Sequence, residues 1–314
     1  MTSVAAAQSP PLGVTSRPRL ALRTRLARRT WPYLLLAPSL VLLAAFTYLP
    51  VVRVAWESLH EKMHGSPTTL FVGLRNYSDL FSDKAFIQSV INNLIYAVGT
   101  VPPSMALALL FALALQRSSR VNSMLRAIML FPSMVPLVAA ASLFFFIFLP
   151  GVGLLDYYLA KISLHGPNWL GDSDVALCSI IGLTVWKNAG YYMLFYIAGL
   201  QNVPRDAVEA AMIDGANAWQ RLRFVILPAL APTTAFVTVI ALIQLLTSVD
   251  HVIVLTRGGP SNATNLLLYY NFQSAHENFE YGKAAAATLI SVAILLAISF
   301  GSLRVMERGA RGHG

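Results

Sequence analysis

Six stretches, each long and apolar enough to cross a lipid bilayer, decide what this chain can fold into. They cover residues 31–54, 85–115, 127–149, 175–200, 227–249 and 284–303, and a helical crossing needs about 20 mostly apolar residues. Hydrocarbon offers the backbone no hydrogen-bond partner, so each stretch must satisfy its own amides and carbonyls as a helix. The expected fold is all-α: a polytopic membrane protein with six transmembrane helices. Composition excludes a soluble domain, because 56% of the residues are hydrophobic and only 12% are charged.

The segments between spans alternate in charge. Residues 1–30 carry Arg17, Arg19, Arg23, Arg25, Arg28 and Arg29 and no acid. Arg117, Arg120 and Arg126 follow the second span, Arg205, Arg221 and Arg223 the fourth, and Arg304, Arg308 and Arg311 the sixth. These segments hold fifteen basic residues against four acids (Asp206, Glu209, Asp214, Glu307), whereas the rest of the chain holds eight basic residues and ten acids. The positive-inside rule places the first group, and with it both termini, in the cytoplasm. The net charge of +9 is then a topology signal. No stretch is polar enough to make the basic face of a nucleic-acid-binding domain, so no nucleic-acid partner is expected.

The organisation read from this pattern is a cytoplasmic tail (1–30), a first transmembrane helix with an external segment (31–84), a five-helix core (85–306) containing a cytoplasmic loop at 201–228, and a second tail (307–314). The first apolar stretch is too long for a signal-peptide core and reads as an uncleaved anchor. Trp31, Tyr33, Tyr48 and Trp56 bracket it, as interfacial aromatics do. Pro102, Pro103, Pro132 and Pro136 fall in or beside spans two and three, where each frees a carbonyl that neighbouring helices or a wet cavity must satisfy. In the external segment Phe71, Leu74, Tyr77, Leu80 and Phe81 recur at helical spacing, as in a short amphipathic surface helix, with docking of a partner as the alternative. Cys178, the only cysteine, excludes an intrachain disulfide and a cysteine metal cluster and reads as a small buried apolar residue.

His60, Glu61 and His64 match H-E-x-x-H, the zinc-protease pattern in which two histidines one helical turn apart bind metal. Gly65, Ser66 and Pro67 end any helix at once, and no metal site is expected. A membrane metalloprotease remains the enzymatic alternative to a transport role, and a non-transporting scaffold that recruits an ATPase is a third reading. No G-x-x-x-x-G-K-[ST] loop occurs, so the chain cannot hydrolyse ATP in the P-loop manner.

Residues 201–228 carry the most specific signal. Asn202 and Pro204 offer a helix start, and Asp206 and Glu209 place negative charge near the positive end of its dipole. Ala207, Ala210 and Ala211 present a small-residue surface, Asp214 and Gly215 break the helix, and Asn217 can cap a second one that displays Trp219. Such a helix–turn–helix suits docking of a cytoplasmic protein.

Glu209-Ala210-Ala211, Gly215 and Val225-Ile226-Leu227-Pro228 resemble the E-A-A-x3-G-x9-I-x-L-P motif of permease subunits in binding-protein-dependent ABC importers, departing only in Val225. Trp186-Lys187, Ala198-Gly199-Leu200-Gln201, Val203-Pro204, Ile213-Asp214-Gly215-Ala216, Trp219-Gln220, Leu255-Thr256, Gly258-Gly259-Pro260 and Tyr281-Gly282 narrow the resemblance to the carbohydrate group, which includes glycerol-phosphate importers. It implies a type I importer bundle in a bacterial inner membrane, the first-type subunit of a heterodimeric pair. Implied partners are a second permease, two ATP-binding subunits, an extracytoplasmic solute-binding protein and the lipid bilayer. ATP and magnesium would sit on the ATPase subunits, leaving this chain without cofactor or catalytic residues. By the same resemblance Glu209, Ala210, Ala211, Asp214, Gly215 and Trp219 belong to the segment that couples to the ATPase.

Lys187 lies near the middle of span four, where a charge costs roughly 2.5–3.5 kcal/mol on insertion scales, so it should face the bundle interior. There it could hold a phosphate as a point charge, or else serve an internal role, as one half of an ion pair or as donor to the carbonyls of a kinked helix. Asn92, Asn93, Asn188, Tyr191, Gln244, Ser248 and Asp250 are the further candidates for a polar pathway, and they suit a hydroxyl-rich solute.

Overall fold

The computed structural model describes residues 35–62 and 68–311. The chain divides into two compact units, one ending at Arg53 and the other beginning at Val54. The helix that opens the described residues, α1 (Leu35–Glu57), is apolar and none of its residues is buried. Pro50 cannot donate to the carbonyl of Phe46, and just before it the helix widens to a π-turn at Ala44–Tyr48, closed by Leu49 N–H donating to Ala44 O.

In the second unit, β1 (His60–Lys62) pairs antiparallel with β2 (Thr69–Phe71), and a short helix α2 (Arg75–Ser82) follows. Asn76 donates to the carbonyls of Ser58 (2.8 Å) and His60 (3.1 Å) and holds helix and hairpin together. The amphipathic helix expected across Phe71 to Phe81 is shorter than its apolar spacing implied: Phe71 lies on a strand, Leu74 precedes the helix, and only Leu80 of the five is fully buried.

The bundle is formed by α3 (Lys84–Leu115), α4 (Arg120–Met134), α5 (Leu137–Ile147), α7 (Ala176–Gln201), α9 (Ala218–Ala229), α10 (Ala231–Thr247) and α13 (Tyr281–Arg311). Shorter helices α6 (Leu154–Lys161), α8 (Arg205–Ile213), α11 (Asp250–Leu255) and α12 (Leu267–His276) connect them. Helix α7 is the central element: it packs along α3 and against α4, and its buried residues include Leu183, Gly190, Tyr192, Met193 and Tyr196. Lipid tails give helices no hydrophobic reason to associate, so close packing over small residues must do so. Ala108, Ala112, Ala140, Ala141 and Ala189 are accordingly buried at the contacts, while Val98, Leu110, Phe131 and Phe146 face outward.

Among the described residues three helices are long and apolar enough to cross a membrane, or five if each of two bent pairs is one span. Helix α7 is not among them. Its Lys187, Asn188 and three tyrosines lower its hydropathy because its surface faces protein rather than lipid.

Two of the spans are bent. The third breaks between Met134 and Leu137 with a 95° turn. Pro136 pushes the preceding Val135 out of the helical region, to φ −70° and ψ 131°, and ends α4 there. The fifth is bent by 67° between α9 and α10, where Pro232 opens α10. A second π-turn, Leu222–Ile226, precedes Pro228 as the first precedes Pro50. By contrast α3 runs unbroken through Pro102 and Pro103. Cys178 is exposed on α7, which corrects its reading as a buried residue: it sits on the face turned away from the bundle. Helix α13 continues to Arg311, past the boundary drawn at 306. Residues 1–30, Trp31, Tyr33 and His64 lie outside the described residues.

The rim at the start of α3 is tied by charge. Asp83 caps α3 through Ala85 N–H (2.8 Å) and accepts from Tyr270 Oη and Lys283 Nζ, both at 2.7 Å. Burial pushes the Asp83 carboxyl up, but the bonds from Lys283, Tyr270 and Ala85 outweigh it and hold it below the ordinary carboxylate value. In the segment joining α5 to α7, Asp156 takes Gly151 N–H (2.6 Å) and Trp169 Nε1–H (2.7 Å), which likewise lower its carboxyl.

Candidate functional site

A cavity of about 670 Å³ opens inside the bundle, walled by α3, α4, α5, α7, α10 and α11. Its volume falls in the range of small-ligand sites. Six of the eight residues expected to line a pathway border it: Lys187, Asn188, Tyr191, Gln244, Ser248 and Asp250. They come from α7 and from the end of α10 onward, so the bend at α10 and the short helix α11 bring the second set beside the first.

Asn92 and Asn93 are elsewhere. Asn92 donates to the carbonyls of Asn262 (2.7 Å) and Asn265 (3.0 Å) and accepts from Gln88, and Asn93 accepts from Leu267 N–H at 3.4 Å. Both fasten the loop before α12 to α3. Their amides are the right groups for a solute but are already committed to backbone more than 160 residues away in sequence.

Lys187 borders the cavity and also closes the broken end of α4. Its ammonium donates to the carbonyls of Pro132 (3.3 Å), Ser133 (3.4 Å) and Val135 (2.5 Å). Pro136 has no N–H for the Pro132 carbonyl, and the turn deprives Ser133 of its helical partner as well. An ammonium has three donors, and here three carbonyls take them at the negative end of a helix dipole. The approach depends on Gly190, one turn along α7, where a Cβ would sit 1.7 Å from the carbonyl oxygen of Met129. Of the two internal roles open to Lys187, the structure displays the carbonyl cap.

The cavity also has a polar wall that reading the chain did not find. Tyr96 Oη lies 2.8 Å from Thr184 Oγ1 and 3.0 Å from His251 Nε2, all three residues being buried. Tyr192 Oη donates to Gln244 Oε1 at 3.0 Å and holds that amide in place. A signal existed: Asn92, Tyr96, Thr100 and Ser104 recur every fourth residue along α3 and all are buried. A polar stripe through a membrane helix marks its inward face.

The second feature is the segment after α7. Helix α8 ends at Ile213 in paired closing bonds, Ala216 N–H to Ala211 O at 2.9 Å and Gly215 N–H to Met212 O at 3.1 Å. The residue between must be left-handed, and Gly215 has φ +80°. Asn217 then caps α9: its side chain accepts from Gln220 N–H (2.9 Å) while Gln220 Oε1 accepts from Asn217 N–H (2.8 Å). The expected helix–turn–helix is formed. Glu209, Ala210, Asp214, Gly215 and Trp219 are exposed and Ala211 partly so. Ile213 (86% exposed), Trp219 (64%) and Phe224 (68%) make an uncovered apolar surface. Arg205 and Glu209 border a groove of about 430 Å³ against the ends of α3 and α7.

The zinc-protease pattern is not on a helix. His60 and Glu61 are on β1, paired with Phe71 and Leu70, so the one-turn spacing of two histidines on a helix does not arise. Among the described residues no group of three metal-ligating side chains occurs.

Residues 104–312 match the family described as binding-protein-dependent transport system inner membrane component. The sn-glycerol-3-phosphate transport system permease protein UgpA of Agrobacterium fabrum is 34% identical over 280 residues, 88% of this chain and 94% of the relative. The trehalose/maltose transport system permease protein MalF of Thermococcus litoralis is 33% identical over 275 residues, 87% and 92% of the two chains. In structure the chain resembles a subunit of a bacterial ABC transporter involved in the import of the acidic polysaccharide alginate, with a TM-score of 0.77, 22% identity and coverage of 91% of this chain and 99% of the other; that likeness speaks to the fold. The family match spans two thirds of the chain and the relatives nearly all of it, so the chain belongs to the binding-protein-dependent transport family: it is an inner-membrane permease subunit of an ABC transporter, and not itself an enzyme.

Proposed function

We propose that the chain forms part of the translocation pathway for an uncharged, hydroxyl-rich solute, a sugar or polyol in preference to a glycerol-phosphate compound. The observation that carries this reading is the cavity, whose polar lining is mostly hydroxyl, amide and phenol, with the imidazole of His251, the ammonium of Lys187 and the carboxylate of Asp250. Relatives named for sn-glycerol-3-phosphate and for trehalose and maltose support these two classes. Lys187 supports the sugar or polyol: the cation that would hold a phosphate donates to three carbonyls.

The remaining machinery follows from the family. A solute-binding protein delivers the solute to the extracytoplasmic face, and a second, different permease completes the pathway, with this chain as the first-type subunit. Two ATP-binding subunits, which carry ATP and magnesium, dock on the segment from Glu209 to Trp219. Glu209 offers charge, and Ile213 and Trp219 offer apolar area that a partner would cover. Both termini lie in the cytoplasm on the same side as that segment, and six helices cross the membrane once α7 and the bent pairs are counted. Closure of the ATPase pair switches the bundle between states because it binds one state better than the other.

The test is competition in vesicles containing all partners. Radiolabelled trehalose should be taken up in an ATP-dependent way and displaced by other sugars. Uptake of amino acids or metal ions with sugars and glycerophosphodiesters both ignored would refute the reading.

A further inference from the structure

Two residues that line the cavity each carry a buried polar atom with no hydrogen-bond partner, Thr100 Oγ1 and His251 Nδ1. Their surroundings fix what each can do. Thr184 Oγ1 donates to the carbonyl of Ile180 at 3.0 Å, one turn back along its own helix. Its oxygen then accepts the proton of Tyr96 Oη at 2.8 Å. With that proton committed, the oxygen of Tyr96 accepts from His251 Nε2 at 3.0 Å. The direction of the chain makes Nε2 the protonated nitrogen of a neutral ring, which leaves Nδ1 a bare acceptor. Thr100 lies four residues after Tyr96 on α3, on the same face one turn along. A helical threonine ordinarily bonds back to the carbonyl four residues before it, and no such bond is formed here, so both its donor and its acceptor are free.

We propose that Thr100 and His251 form a hydroxyl subsite of the pathway: a hydroxyl of the passing solute donates to His251 Nδ1 and accepts from Thr100 Oγ1. Both atoms are sealed from solvent in this state, so the subsite engages as the cavity changes shape, and a rotation of Thr100 about χ1 brings its hydroxyl round. An acceptor lone pair facing the solute selects a neutral hydroxyl and disfavours a phosphate oxygen, which has no proton to give. This rests on the reading of the cavity as a sugar or polyol pathway and adds the groups that recognise the solute there.

The experiment has two independent readouts. The first is nitrogen NMR of the histidine-labelled protein, with the His251 signal assigned by its loss in His251→Gln. Protonation at Nε2 is expected. Protonation at Nδ1 overturns the subsite whatever the importer carries. The second is ATP-driven uptake of trehalose and its monodeoxy analogues by the complete importer in vesicles. In the wild type, removal of one particular hydroxyl should raise KM about tenfold, the scale of a neutral hydrogen bond in a desolvated site. Thr100→Val and His251→Gln should raise KM for trehalose to a similar extent and become indifferent to that hydroxyl. Thr100→Ser, which keeps the group, should restore the wild-type pattern. Variants that lower maximal uptake but keep the same preference among analogues would assign Thr100 and His251 to packing and overturn the proposal. Failure of the wild type to take up trehalose while carrying sn-glycerol-3-phosphate would instead refute the substrate class, and with it the subsite.

Discussion

Lys187 on α7 donates to the carbonyl of Val135, the residue that Pro136 forces out of the helix, and so one side chain closes the end of a helix that a proline has cut. The bond links the central helix to the hinge of a bent span, at the wall of the cavity. A charge in mid-membrane is thereby given a partner, and carbonyls that lipid could not satisfy are given a donor.

Lys187→Met should leave the carbonyls of Ser133 and Val135 at the end of α4 short of a donor, while that of Pro132 keeps Val135 N–H. A loss of about 1–3 kcal/mol is expected, the cost of buried acceptors left unserved. In thermal unfolding of the purified protein Lys187→Met should melt earlier than the wild type, with Lys187→Arg between them. In transport, maximal uptake should fall more than affinity. An unchanged melting point would show that the cap carries no stability.

Gly190→Ala tests the contact on which that cap depends. Its new methyl group would overlap the Met129 carbonyl, and overpacking of this kind costs typically about 1–3 kcal/mol. Gly182→Ala on the same helix is the control, because a Cβ there meets nothing within 4 Å. It should be neutral or stabilising. Equal melting points for the two variants would contradict the packing described.

Glu209→Ala and Gly215→Pro should leave the protein in the membrane and uncouple or detach the ATPase. The first removes an exposed charge. The second forces φ to about −65° where the turn holds +80°. Co-purification of the ATP-binding subunits and ATP-driven uptake are the measurements. A double variant that assembles and transports at the wild-type rate would refute the docking surface.

Asp83 gives a pH dependence with a definite sign. Its carboxyl is held below the ordinary 3.8, so its bonds to Lys283 and Tyr270 stabilise the fold above that value and are lost as pH falls through the lowered one. Asp83→Asn keeps a capping residue and removes the charge, so the difference isolates the ion pair. The variant should be about 1–2 kcal/mol less stable at pH 7, with the gap closing on acidification below 3.8. A gap independent of pH would assign the effect to packing.

The apolar lengths made the long helices legible, of which three, or five with the bent pairs, are apolar enough to cross among the described residues, and the helix–turn–helix at 205–221 was legible because capping and left-handed turns are written in local residue types: Asn217, Gln220 and Gly215. The bends were not, because Pro102 and Pro103 lie in an unbroken helix while Pro136 breaks one, and the difference is settled by neighbours such as Lys187. Asn92 shows the same limit at the cavity. Its amide is suited to a solute, yet its partner is a loop carbonyl 170 residues away in sequence. The bond between Tyr96 and His251 spans 155 residues and was missed for the same reason, although the fourfold spacing of Asn92, Tyr96, Thr100 and Ser104 marked the face that carries it.

That the cavity is the path of the solute is tested most directly by blocking it. Cys178 is the only cysteine, so Cys178→Ser gives a thiol-free background into which Ser248→Cys places one thiol at the cavity wall. In vesicles with all partners, a membrane-impermeant methanethiosulfonate should stop ATP-driven uptake, and the transported solute should slow the modification. Fully modified protein that transports at the unmodified rate would contradict the account.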